Sequence, residues 1–250
     1  PARQTAINSG IKEDKTATTI NQVCGSGLAA ISLGFNSVKL NDSKIVIAGG
    51  QESMTNAPHY LNYRLNNNFS KEKLKDTMLI DGLIDAYNNY HMGVTAENVA
   101  EMWNITRKQQ DEFAVSSQHK AQNAIKNNKF RDELIDNNFT DEHPRSDVTL
   151  ESLSNLKTVF KKNGTVTAGN SSGINDGAAC VLMMQRDEAE KKNLNVLAKI
   201  KSWATCGVDP SLMGSGPIPA SKKALERTQC QFNSRFKLSQ LVELFEKTLL

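Results

Sequence analysis

The segment 17–50 constrains this chain more than any other. Thr18-Thr19-Ile20-Asn21-Gln22-Val23 is short and β-prone, and Cys24-Gly25-Ser26-Gly27 interrupts it. Leu28, Ile31, Phe35 and Val38 then recur at helical spacing, which predicts one apolar helix face. Ile45-Val46-Ile47-Ala48 is apolar throughout and closes on Gly49-Gly50, the pattern of a buried parallel strand. Strand, helix and strand in that order predict a βαβ unit and an α/β fold.

From about Gln51 to Leu156 the character changes to polar loops and helices, an excursion carried on the α/β core. Thr106-Arg107-Lys108-Gln109 is a capping box, with Asp111 and Glu112 adding acid to the first turn. Phe113, Ala114, Ala121 and Ala124 follow on one face, and Thr95 is placed to cap an earlier helix. Asn clusters at 66–68, 88–89, 127–128 and 137–138 read as exposed turns. From Thr165 the α/β pattern returns. Thr165–Ala168 is strand-like, Gly169–Gly177 is a loop of small residues, and Ala178–Met184 reads as another buried strand. A charged helix at Arg186–Lys192, a strand at Val196–Trp203 and a helix at Ala220–Arg227 behind Pro217 and Pro219 complete the reading.

A net charge of +3 spread over 250 residues gives no case for nucleic acid, and the longest apolar runs are too short to span a bilayer. The four Cys, at 24, 180, 206 and 230, lack the short spacings of a zinc site or a redox pair. No signal peptide is visible, but Pro1 opens a segment that reads as mid-domain, so a fragment is expected and upstream targeting signals stay open.

Cys24 is the sharpest candidate for chemistry. Between a strand and a helix opening on Gly and Ser, a thiol meets free backbone N–H groups and the positive helix end, which favour a thiolate. Gly25 and Gly27 would let a substrate approach closely. The alternative is a buried structural cysteine. A thiolate nucleophile wants a base, and His59, His91, His119 and His143 are the available imidazoles, each also readable as structural.

Ordered motifs add a resemblance. Asn21-Gln22-Val23-Cys24-Gly25-Ser26-Gly27 precedes Ile47-Ala48-Gly49-Gly50-Gln51-Glu52-Ser53-Met54, then Tyr90-His91-Met92-Gly93-Val94-Thr95-Ala96-Glu97. The run Gly164–Ala178, then Gly207-Val208-Asp209-Pro210 and Met213-Gly214-Ser215-Gly216-Pro217, continue the series. Over roughly residues 1–227 the chain resembles the thiolase family, most closely its biosynthetic acetyl-CoA acetyltransferase branch. The resemblance implies part of an α-β-α-β-α layered fold with an inserted, mostly helical loop domain. Its divisions would be 1–52 with 157–190 (N-terminal core), 53–156 (CoA-binding loop domain), 191–227 (start of the C-terminal domain) and 228–250 (a non-native tail).

The resemblance also implies the chemistry. Cys24 would take the acyl group of acetyl-CoA, onto which a second, deprotonated acetyl-CoA condenses, or the reverse. Leu83, His91 and Met92 would line the pantetheine tunnel, and Ala168, Gly169 and Ser172 would contact the pantetheine arm. Met213 would border the acyl pocket, and Arg145, Ser152 and Phe160 would face the nucleotide end. CoA thioesters enter as substrates, with no cofactor, no metal, no nucleic-acid partner and no membrane. The family assembles as dimers or tetramers, and a cytoplasmic location is expected.

The family's Asn-Glu-Ala-Phe, Gly-His-Pro and Cys-x-Gly-Gly-Gly segments are not found in these residues, so the chain by itself is expected not to complete the reaction. The second reading is therefore a non-catalytic, truncated product with at most residual CoA binding and marginal solubility. Read one base later, codons for Cys230–Gln240 permit Ala-Asn-Leu-Thr-x-Asp-Leu-Asn-Leu-Val, which resembles the family's continuation. A reading-frame shift near Arg227–Cys230 is the expectation.

Overall fold

A computed structural model describes residues 1–66, 70, 73–136 and 140–228. The chain divides into two units, Pro1–Ala57 with Asn175–Lys201, and Pro58–Ile174 with the chain from Ser202 onward.

The first unit holds α1 (Ala2–Asn8), α2 (Ser26–Lys39), β1 (Ile45–Ser53), β4 (Asp176–Met184) and α7 (Arg186–Lys191). β1 and β4 pair antiparallel, from Ile45 opposite Met184 to Ser53 opposite Asp176. The helical spacing in 28–38 produces α2, and Gly34 is where it meets the sheet. A Cβ there would lie 2.9 Å from Val46 Cγ1 and 3.7 Å from Ala48 Cβ. Alternation along a strand then turns Ile45, Ile47 and Leu182 to the opposite face, and Ile47 and Leu182 are each 55% exposed. The expected buried parallel strands are thus corrected: the pairing is antiparallel, and within this unit only one face is covered. Leu28 is also exposed, although the first turn of α2 still nears the sheet, where a Cβ on Gly50 would lie 3.6 Å from Gly27 Cα.

Three strands of the sequence reading are absent, at Thr18–Val23, Thr165–Ala168 and Val196–Trp203. At Thr18–Val23, side chains engage the backbone donors a ladder would need. Asn21 Oδ1 accepts from the Val23 N–H and Ser26 Oγ from the Gln22 N–H. Val23 turns the chain with φ +48°, where a β-branched residue is strained. The segment Val196–Trp203 forms no strand; it crosses from one unit, which ends at Lys201, to the other, which resumes at Ser202.

The second unit is mostly helical. It contains β2 (His59–Tyr60), α3 (Tyr63–Asn66), β3 (Lys75–Asp76), a π-helical turn (Met78–Leu83), α4 (Met92–Met102), α5 (Arg107–Lys126), α6 (Leu150–Ser154), a 3₁₀ turn (Pro210–Ser215) and α8 (Pro217–Glu226). The capping box of α5 forms as read, Thr106 Oγ1 accepting from the Gln109 N–H and Gln109 Oε1 from the Thr106 N–H. α4 is capped by His91, whose Nδ1 accepts from the Gly93 N–H. Thr95 lies inside the helix with its hydroxyl donating to the Met92 carbonyl, which corrects its assignment as the cap. α8 starts at Pro217, placing both prolines in its first turn.

Asparagine ends helices across both units. Asn41, Asn104, Asn128 and Asn193 follow α2, α4, α5 and α7 with φ of 62°, 53°, 52° and 51°. Their short amide side chains tolerate this left-handed turn better than most residues do. The Asn positions 67–68 and 137–138, Cys230 and the tail beyond Thr228 lie outside the described residues, as does the expected frame shift. No described helix is long and apolar enough to cross a membrane.

Candidate active site

Cys24 is exposed and sits one residue before Gly25, the N-cap of α2, so its thiol faces water at the positive end of a 14-residue helix. The buried-cysteine alternative is overturned. The expected free N–H groups are corrected in part, since the Gly25 N–H donates to the Gln22 carbonyl and the Ser26 N–H to the Val23 carbonyl. The Ser26 hydroxyl ties the same turn, donating to Val23 O at 2.6 Å while accepting from the Gln22 N–H. The two glycines differ. A Cβ on Gly27 would meet nothing within 4 Å, whereas one on Gly25 would lie 3.3 Å from Gln22 O. Gly27 therefore leaves open space at the first turn of the helix that Cys24 precedes.

The other site candidates lie in the second unit. His91 stacks on Phe160 with ring centroids 4.7 Å apart. Gly93 leaves room for that ring, since a Cβ there would be 2.1 Å from Phe160 Cδ2. Leu83 ends the π-helical turn, and the next residue, Ile84, bridges to His91. Met92 opens α4. Met213, exposed, rides the 3₁₀ turn, where the Ser211 carbonyl accepts from Asn98 Nδ2 of α4 at 3.1 Å.

The loop carrying Ala168, Gly169 and Ser172 is held by two buried carboxylates. Glu97 of α4 is 3% exposed and accepts from the Thr165 and Val166 N–H groups and from the Thr165 hydroxyl. Asp111 of α5 is 1% exposed; it accepts from Arg107 Nε at 2.8 Å and from Asn170 Nδ2 at 3.0 Å. Asn170 also folds the loop on itself, its Oδ1 accepting from the Thr167 N–H and its Nδ2 donating to the Thr165 carbonyl. These side chains explain why Thr165–Ala168 is not the expected strand: the N–H groups of 165, 166 and 167 are engaged by carboxylate and carboxamide oxygens. A single bridge, Thr158 to Thr167, is what pairing remains.

Gly169 packs below this loop, where a Cβ would fall 2.5 Å from Leu153 Cδ2 and Leu156 Cδ1. Ala168 and Ser172 are exposed above it. Ser152 lies on α6, its hydroxyl engaged in the cap with Thr149. Arg145 stands apart from this cluster, exposed, its backbone N–H donating to Gln118 Oε1 of α5. Among the described residues no group of three or more His, Cys, Asp or Glu is placed to hold a metal.

Glu97, Asp111 and Asn170 escaped the sequence reading. The expected place of Asp111 in the first turn of α5 is corrected: it lies one turn further in and is buried. Its spacing of four residues from Arg107 was the signal that an ion pair could form there.

The pattern matches known proteins over most of its length. Residues 1–187 match the thiolase N-terminal domain. The chain belongs to the thiolase family. It is 50% identical over 237 residues to an acetyl-CoA acetyltransferase of Rhizobium meliloti, covering 91% of this chain and 60% of that protein. A Paracoccus denitrificans acetyl-CoA acetyltransferase is 52% identical over the same length, covering 91% and 61%. Among solved structures, the Bacillus anthracis acetyl-CoA acetyltransferase superposes with a TM-score of 0.87 at 37% identity, over 99% of this chain and 67% of that one. A human mitochondrial 3-ketoacyl-CoA thiolase in complex with CoA superposes with a TM-score of 0.85 at 37% identity, over 91% and 59%. The thiolase α/β fold is thus present in part, and the chain spans about three-fifths of the length of these curated thiolases.

Proposed function

We propose that this thiolase chain carries acyl capture from a CoA thioester. Cys24 Sγ attacks the carbonyl carbon of acetyl-CoA, the C–S bond to CoA breaks, CoA leaves as its thiol, and the acetyl group stays on Cys24 as a thioester. In the whole reaction the α-carbon of a second acetyl-CoA, having lost a proton, attacks that carbonyl. It forms acetoacetyl-CoA and returns the Cys24 thiol; the reverse direction is thiolysis. The observation that carries this reading is the exposed Cys24 one residue ahead of the α2 N-cap, inside a chain about 50% identical to acetyl-CoA acetyltransferases.

CoA is the proposed ligand of the second unit. Leu83, His91 and Met92 would line the pantetheine path, Ala168, Gly169 and Ser172 would contact the arm, and Met213 would border the acyl group. Arg145, Ser152 and Phe160 are proposed for the nucleotide end. The exposed guanidinium of Arg145 suits a phosphate, and the stack on His91 sets Phe160 beside the proposed pantetheine path. The CoA-bound human thiolase among the structural relatives supports this ligand class. No metal or prosthetic group is proposed; association with further copies of the chain and a cytoplasmic location are proposed on the likeness to bacterial acetyl-CoA acetyltransferases. Calorimetric titration of the 250-residue chain with CoA tests the binding half. One CoA per chain is expected, and a folded chain that takes up none contradicts it.

A further inference from the structure

Glu97 joins α4 to the loop that follows Gly164 through a buried carboxylate. Its carboxylate is buried, and among the described residues no Lys or Arg nitrogen forms an ion pair with it. Its oxygens are filled by three donors on consecutive residues of one loop, the N–H and hydroxyl of Thr165 and the N–H of Val166, at 2.8–2.9 Å, with Lys161 close enough to feel its charge. A carboxylate accepts at both oxygens without donating, so it can gather several converging donors. The fit leaves no slack, because a Cβ on Gly164 would lie 2.3 Å from Glu97 Oε1. Glu97 also sits on α4, the helix that begins with His91 as its cap and Met92 as its first residue. The far side of the loop is fastened separately, through Asn170 to Asp111 of α5.

We propose that Glu97 is a positioning residue. Its buried carboxylate locks the 164–172 loop to α4, so that Ala168, Gly169 and Ser172 are held in fixed register with His91 and Met92 as a preformed grip on the pantetheine arm. This rests on the CoA-binding reading above. A loop held by polar anchors beneath an exposed face loses little freedom when a ligand lands on that face, and binding is tighter for it. Glu97 touches no substrate in this account; it acts through Thr165 and Val166.

The test compares the full chain with Glu97→Ala and Glu97→Gln, reading CoA affinity by calorimetry and backbone amide exchange by residue. In Glu97→Ala, exchange at 164–172 should rise and CoA affinity should fall on the order of tenfold to a hundredfold. Protection in β1 and β4 should be unchanged. Glu97→Gln keeps one oxygen for the two N–H groups and turns its NH₂ to the Thr165 oxygen, so it should stay within about threefold of the parent on both readouts. Unchanged loop exchange in Glu97→Ala overturns the proposal. So does a loosened loop with CoA affinity intact, or a loss of protection that spreads through α5 and α8. If the parent chain takes up no CoA, the reading of the site as a CoA site falls, and the exchange data alone decide whether Glu97 positions the loop.

Discussion

The imidazole of His91 lies face to face with the ring of Phe160, centroids 4.7 Å apart and planes 16° from parallel. That stack exists because position 93 has no side chain. Gly93→Ala would drive a methyl group into Phe160 and should destabilise the second unit by about 1–3 kcal/mol, the usual cost of overpacking. Urea unfolding followed at Trp203 checks it; an unchanged midpoint contradicts it.

Asp111 is the hub between α5 and the site loop, accepting from Arg107 and Asn170 while almost wholly buried. Asp111→Ala would leave the Arg107 guanidinium and the Asn170 amide short of an acceptor, a loss of about 3 kcal/mol. Asp111→Asn keeps an oxygen for one of them and should cost less. Thermal melts of the pair, with Thr106→Ala as an ordinary cap deletion of about 1 kcal/mol, rank the three. Equal losses for Asp111→Ala and Thr106→Ala would contradict the hub.

In the first unit the close approach of α2 to the sheet runs through Gly34. A methyl there meets the flexible Cε of Met183, which can move, and Cγ1 of Val46, which is fixed by branching. Gly34→Ala is expected to destabilise this unit by about 1–2 kcal/mol. Amide exchange in β1 reports it, and an unaltered protection pattern contradicts it.

Asp176 closes the strand pair at Ser53. The Thr55 backbone N–H, with the Thr55 and Ser53 hydroxyls adding to it, holds its carboxyl below the usual aspartate value. The folded value is the lower one, so its contribution is complete above the unfolded value of about 4 and is lost as pH falls through the folded value. The melting temperature of the first unit should therefore drop on the acid side of about pH 4, and Asp176→Asn should flatten that drop. An acid profile identical in both proteins contradicts the assignment.

The sequence exposed what is local. The helical spacing of 28–38 and the Thr106–Gln109 box became the helix and cap they announce, and the apolar runs at 45–48 and 178–184 became strands, though antiparallel and partly exposed where buried strands were expected. The exposed place of Cys24 beside a helix start agrees with its position between a β-prone run and a helical one. What stayed hidden depends on partners distant in sequence. The Ile45–Ser53 strand carries no sign that its neighbour is antiparallel and more than a hundred residues away. Thr165–Ala168 has the composition of a strand, and only the arrival of Glu97 and Asn170 at its N–H groups makes it a loop. Those two anchors have no periodicity, and a buried Glu looks like a surface Glu until its donors are placed.

The central claim is that Cys24 is an acyl acceptor. Intact-mass spectrometry after incubation with acetyl-CoA, beside Cys24→Ala, tests it most directly. The account predicts a gain of one acetyl group on the parent chain and none on the variant. A folded parent that gains nothing, or a gain that survives in Cys24→Ala, contradicts it.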